Sequence, residues 1–240
     1  MSLENQIEIC GTVTVPSCIA AAEGAPHIGV RVVIGTGEDR VIMAAWGCQT
    51  FASQMPFSLL LDCNSLPEGA EPTLMASYGV RVNDEQSGYT LSMPLDVERP
   101  GSSVSMDLAI PGPSAQPGGQ GEPTEPAAII ELKHTLEIPE AFLQPQALLT
   151  LGVYKTQEDG RINSTSSYIG GTVLWPTQGT LALTTYLDGN AVHEDDQLQL
   201  RVAYYDPQTM TPYAGKTLRD LTLADLAEQD AITLRPPRRS

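Results

Sequence analysis

Basic residues are scarce in this 240-residue chain, and no lysine precedes Lys133. Residues 1–110 carry 13 acidic and 4 basic side chains, residues 111–127 add only Glu122 and Glu125, and residues 128–240 carry 14 acidic and 9 basic ones. A net charge of −16 distributed in this way offers no Lys/Arg face to phosphates, which excludes nucleic acid as a partner and argues against docking on anionic lipid. The one basic cluster, Arg235-Pro-Pro-Arg238-Arg239-Ser, reads as a frayed terminus. No run approaches the ~20 consecutive apolar residues of a membrane-crossing helix. Met1-Ser-Leu-Glu-Asn-Gln has neither the charged start nor the apolar stretch of an export signal. The chain is therefore expected to be cytoplasmic, or else the mature form of a periplasmic or outer-membrane-associated protein whose signal was removed.

Reactive side chains are as sparse. The histidines are His27, His134 and His193, and the cysteines are Cys10, Cys18, Cys48 and Cys63. No two cysteines form a Cys-x-x-Cys pair, which weakens zinc and thioredoxin-type readings. They are buried or idle thiols, or one or two disulfides in an oxidising compartment. There is no Gly-x-Ser-x-Gly elbow, P-loop or dinucleotide fingerprint. His193-Glu194-Asp195-Asp196 reads as a solvated turn between strands, and His134 as surface or satisfied core. Glu158-Asp159-Gly160 lacks the ligand spacing of a calcium loop and reads as a hairpin turn. The sequence thus implies no catalytic residue, no metal site and no cofactor.

The positive signal is a repeat. Leu61, Asp62, Asn64, Glu68, Leu74 and Tyr78 recur as Leu187, Asp188, Asn190, Glu194, Leu200 and Tyr204, all six at an offset of 126. Two copies of one β-rich unit follow. Ile7, Ile9, Val13 and Val15 alternate with polar residues or cysteine, the period of a strand with one face inward, and this register turns Cys10 away from the core. Further strands are expected at 28–34, 40–46, 55–61, 73–82, 88–95 and 103–110, then at 129–137, 147–154, 165–175, 179–186, 197–205 and 231–234. Thr222-Leu-Ala-Asp225 opens a short helix at 222–229. Between the units, residues 111–127 hold five prolines and four glycines and read as a linker, able to span about 50 Å at ~3.1 Å per residue. The fold class is all-β: two tandem β-sandwich, immunoglobulin-like domains at 1–110 and 128–240, the second a diverged repeat, with relative motion as the default. Trp46 and Trp175 are expected at one shared core position, with a loop three residues shorter in the second copy. The repeated Asp62/Asp188 and Asn64/Asn190 are expected to cap turns at strand ends.

Three stretches carry a resemblance to a known family: Gly11-Thr12-Val13; Pro56-Phe57-Ser58-Leu59-x-Leu61-Asp62; and Ala76-Ser-Tyr-Gly-Val80-Arg-Val82-Asn83-Asp84 with the segment ending near Val97. In this order, across about residues 9–110, they resemble the YbaY-type lipoproteins and, more remotely, the YscW-type pilotins of type III secretion. The resemblance implies a small β-sandwich exported to the bacterial envelope, tethered by a lipidated cysteine and, in pilotins, binding a secretin subunit. This chain differs in having no lipobox and in having two units.

The strongest candidate for partner binding is the stretch 43–57, which concentrates Met43, Trp46, Phe51 and Met55. Phe51 falls in a predicted loop, where an apolar aromatic is less expected. A Met/aromatic surface of this kind suits an apolar peptide segment of an envelope protein. The functional expectation is a non-enzymatic envelope binding or assembly factor. The alternatives are a hydrolase or carbohydrate-active domain on the same scaffold, and a cytosolic structural or regulatory protein. The oligomeric state does not follow from the sequence.

Overall fold

The structure is a computed structural model that describes residues 5–15, 26–79, 89–97, 101–111, 126–156 and 167–237. Residues 112–125 of the linker, the Asp159-Gly160 turn and Cys18 lie outside these. The alternating stretches become strands along nearly the whole chain. The first repeat contributes β1 (Gln6–Thr14), β2 (His27–Ile34), β3 (Val41–Gln49), β4 (Gln54–Asp62), β5 (Thr73–Gly79), β6 (Tyr89–Pro94) and β7 (Ser103–Ala109). The second contributes β8 (Ile129–Glu137), β9 (Leu148–Lys155), β10 (Tyr168–Leu174), β11 (Thr180–Asp188), β12 (Leu198–Tyr205), β13 (Pro212–Leu221) and β14 (Ala231–Thr233). A helix at Leu223–Ala227 starts on the expected capping box, Thr222 and Asp225 bonding each other's main-chain N–H.

The pairing repeats strand for strand. In the first unit β1 runs antiparallel to β4 and parallel to β7, while β3, β2, β5 and β6 form an antiparallel series. In the second unit β8 takes β11 and β14 in the same senses, and β10, β9, β12 and β13 form the matching series. In each unit the inward residues of the three-stranded sheet pack on those of the four-stranded one. Phe57 meets Trp46 at 6.3 Å between ring centroids, with Ile7, Ile9, Val30 and Leu59 buried in the same cluster. Burying side chains of this size contributes about 1.5–3 kcal/mol each. At Gly11 β7 leaves no room for a side chain: a Cβ there would stand 1.8 Å from the Met106 carbonyl oxygen, and its φ of +154° disfavours other residues.

The two units do not keep separate sheets. Each four-stranded series ends in an edge, β3 or β10, and these edges pair antiparallel to make one eight-stranded sheet, β13-β12-β9-β10-β3-β2-β5-β6. One hydrophobic cluster runs through both units. An unpaired central edge would expose a row of N–H and C=O groups, and joining the edges satisfies both rows. The boundary at 111–127 therefore separates the repeats along the chain but not in space.

The ladder registers define a pseudo-two-fold axis. Val30 is the partner of both Trp46 and Ala76, and Leu151 of both Thr172 and Val202. Ala76 and Val202 are related by the repeat offset, so Trp46 corresponds to Thr172, and those two are paired with each other on the axis. This corrects the expected equivalence of the tryptophans. Trp175 lies three residues past the counterpart of Trp46, just beyond the end of β10. Trp46 is core, whereas Trp175 is half-buried against it.

Candidate functional site

The repeated aspartates hold the seam. Asp62 and Asp188 each accept the N–H of the asparagine two residues on, at 3.1 and 3.0 Å, which is the expected turn cap. Each also reaches into the other repeat. Asp62 Oδ2 accepts the Thr177 hydroxyl at 2.6 Å and the Thr177 N–H at 2.8 Å. Asp188 Oδ2 accepts the Thr50 hydroxyl at 2.6 Å across the seam, while its Oδ1 accepts the Ala128 N–H of its own repeat at 3.2 Å. Both carboxylates are buried, at 2% and 0% exposure, so these bonds lie in a low-dielectric setting. The tryptophans cross the seam as well: Trp46 Nε1 donates to the Tyr186 carbonyl at 3.2 Å and Trp175 Nε1 to the Ile42 carbonyl at 2.7 Å. Cys48, buried beside the axis, has its thiol pushed well above its ordinary value by burial and then by the Asp188 charge.

At the Asp62 end the seam opens into a cleft of about 660 Å³. Its walls come from the end of β2, the start of β3, the turn after β4, the residues before β9, the residues after β10, and the β12–β13 turn. Trp175 forms the aromatic wall, locked by its bond to Ile42. Tyr213 faces the cleft and packs on Tyr204 at 6.0 Å between centroids. Tyr204, one of the repeated residues, both donates to the Gln144 carbonyl at 2.8 Å and accepts its N–H at 2.9 Å, which pins the segment bearing Pro145 and Gln146. Pro67, Pro145, Pro176 and Pro207 line the walls, and each stiffens the chain it sits in. Ile34, Val41, Met43 and Leu66 supply the aliphatic surface. The volume lies in the range of small-molecule and peptide pockets, ~300–1,000 Å³.

Of the four residues proposed for partner binding, only Met43 reaches this cleft, and it is a buried part of the wall. Trp46 and Met55 point into the core at 2% and 0% exposure. Phe51 is 46% exposed, as its loop position suggested, but lies past the far end of β3, whose stretch from Met43 to Gln49 spans about 20 Å at ~3.3 Å per residue. The four do not form one surface. Trp175, which the sequence reading placed in the core, is a cleft residue, as are Tyr213, Val41, Gln146 and Asp206, which it did not single out. A signal existed in the prolines placed just outside strand ends, Pro145, Pro176 and Pro207, but their convergence depends on the β3–β10 pairing.

The histidines stand apart from the cleft. The His134 ring bonds the Gln229 carbonyl, and His27 stacks on Tyr168. His193 meets Asp196 through its main-chain N–H at 2.8 Å, in the expected turn, where Asp196 also pairs with Lys155 at 2.7 Å. Among the described residues, no group of three or more His, Cys, Asp or Glu side chains is placed to hold a metal ion, and no helix is long and apolar enough to cross a membrane.

No protein-family model and no curated protein matches the chain. Among solved structures, it is similar to a putative adhesin from Bacteroides ovatus ATCC 8483, at 9% identity and a TM-score of 0.23 over 96% of this chain and 94% of that one. It is also similar to the tip fimbrial protein Mfa3 from Porphyromonas gingivalis, at 9% identity and a TM-score of 0.23 over 95% of this chain and 90% of that one. The all-β architecture follows from the strands and their pairing.

Proposed function

We propose that the protein is a non-enzymatic binding or assembly factor of the bacterial envelope that captures an apolar peptide segment in the seam cleft. One observation carries the peptide reading: an open cleft between the repeats, walled by a fixed tryptophan, a tyrosine, aliphatic side chains and four prolines. Apolar surface left in water costs free energy that an apolar segment recovers on docking, and rigid walls reduce the ordering cost of binding. Aromatic- and proline-lined grooves suit extended, proline-containing segments. The envelope placement is supported by the resemblance of residues 9–110 to YbaY-type lipoproteins.

The uncharged peptide Ac-Pro-Leu-Pro-Pro-Leu-Gln-NH2, titrated into the full chain, tests the reading through Trp175 fluorescence, with buried Trp46 as a constant background. A saturable change is expected. It should disappear in Val41→Arg, which projects a charged side chain from a position 41% exposed at the cleft. No change with the peptide, or a change with maltohexaose alone, overturns the proposal.

A further inference from the structure

We infer that the segment taken by the cleft is basic, a Lys or Arg pairing with Asp206 while adjacent proline or aliphatic residues pack on Trp175 and Val41. This rests on the peptide-binding reading above and assigns it a charge.

The first argument is what lines the cleft. Asp206 is the one charged side chain among its lining residues, and no cationic one balances it. Its Oδ1 accepts the N–H of Gln208 at 2.8 Å and of Thr209 at 3.3 Å, which aim the carboxylate, and no described residue forms an ion pair with it. The Gln208 N–H first, and Thr209 second, hold its carboxyl below the usual carboxylate range, so it is charged at neutral pH.

The second argument is which donors are already committed. The Ser65 hydroxyl donates to the Asp62 carbonyl at 2.6 Å, the Thr177 hydroxyl to the Asp62 carboxylate at 2.6 Å, and the Trp175 N–H to Ile42 at 2.7 Å. An anionic ligand would find no cationic donor here, only the neutral side-chain amides of Asn64, Gln146 and Gln208 and the Tyr213 hydroxyl. The remaining polar groups, a carboxylate and side-chain amides, suit a cation flanked by peptide groups.

The third argument is the form of the lips. Two of the three non-glycine residues with positive φ among the described residues, Gln146 at 61° and Met210 at 56°, lie in the segments flanking the cleft. Met210 shares the turn of Asp206 and is 67% exposed, the most exposed large apolar side chain described. Conformations of this kind cost free energy, and a flexible apolar side chain held out beside an apolar cleft is placed to close on a docked segment.

The test compares Ac-Pro-Leu-Pro-Pro-Leu-Arg-NH2 with its Gln- and Glu-ended counterparts on the full chain. The Arg-ended peptide is expected to bind about two- to five-fold tighter than the Gln-ended one at low salt, with the Glu-ended one weakest. The spread should narrow above about 0.2 M salt. In Asp206→Asn the three should converge on one affinity; asparagine keeps an acceptor for the Gln208 N–H, so the turn survives. Equal affinities in the parent chain, or a ranking that persists in Asp206→Asn, overturn the basic assignment while leaving peptide binding intact. If none of the three binds, the assignment falls together with the cleft reading.

Discussion

At the scale of single residues, the buried threonine–aspartate bonds make the two ends of the seam unequal. Thr50 is fully buried, and its hydroxyl both donates to Asp188 and accepts the Ala52 N–H at 3.0 Å. Thr177 is exposed, and its main-chain N–H also reaches Asp62. Thr50→Val removes a charge-assisted bond from a carboxylate with no access to water, and should cost about 1.5–3 kcal/mol of stability. Thr177→Val leaves the main-chain N–H bond to Asp62 in place, so the carboxylate keeps a partner from this residue and the change should cost under about 1 kcal/mol. Urea unfolding of the two variants measures the difference; equal losses would show that the seam bonds contribute alike whatever their burial. The asparagine-capped turn at each aspartate was legible from its Asp-x-Asn spacing. The bond across to a threonine more than 110 residues away was not, because nothing local marks a partner brought near by sheet pairing.

At the scale of elements, the strands were legible wherever one face is buried. β8 falls on the stretch expected for it, and β2, β4, β9 and β12 within one to two residues, because apolar alternation there reports a real inside and outside. β13 was not expected. Its sequence, Pro-Tyr-Ala-Gly-Lys-Thr-Leu-Arg-Asp-Leu, begins with proline and carries glycine and charges, and it is a sheet edge whose side chains are mostly not buried. The C-terminal elements carry the pH dependence. His134 on β8 bonds the Gln229 carbonyl through Nδ1, so Nδ1 carries the proton, and its Nε2 is buried without a hydrogen-bond partner. Burial lowers its pKa below 6.5, against the opposing effects of Gln229 and the Asp230 charge. A histidine whose folded pKa is depressed gives its full stabilisation above about pH 6.5 and loses it as pH falls below that value. The loss is at most about 1.4 kcal/mol per pH unit. It should appear first in β14, which pairs with β8 at the residues that follow His134. Amide protection factors of Ile232 and Leu234 are expected to fall between about pH 6.5 and 5, while those at the centre of β9 and β12 hold. His134→Leu should remove the pH dependence. Unchanged protection at pH 5 in the parent chain would show that the imidazole is solvated as it titrates.

At the scale of the whole molecule, the repeats are related as the two subunits of a symmetric dimer are, with the axis through the Trp46–Thr172 pair. Around that pair the sheet is built from small residues: Gly29, Gly47, Gly171 and Gly152 are successive partners across four strands. At Gly171 a Cβ would stand 2.1 Å from the Leu151 carbonyl oxygen, so the strands next to the axis cannot admit a side chain there. This geometry predicts how the repeats behave when separated. Residues 1–110 alone would expose the β3 edge, and residues 128–240 alone the β10 edge, each together with apolar surface that the other repeat covers. Neither is expected to persist as a folded monomer. Mixed in equal amounts, they should form a 1:1 complex, because the edge pairing, both tryptophan N–H bonds and both threonine–aspartate bonds are all contacts between repeats. Light scattering after size exclusion distinguishes the outcomes. The 128–240 fragment should also self-associate more readily than 1–110, since its own symmetric pairing places two threonines on the axis where the first fragment would place two tryptophans. Two fragments that each stay monomeric and folded would mean that the seam contributes little to either unit. The intact chain would then unfold in two steps rather than the single cooperative transition that a shared sheet and core require.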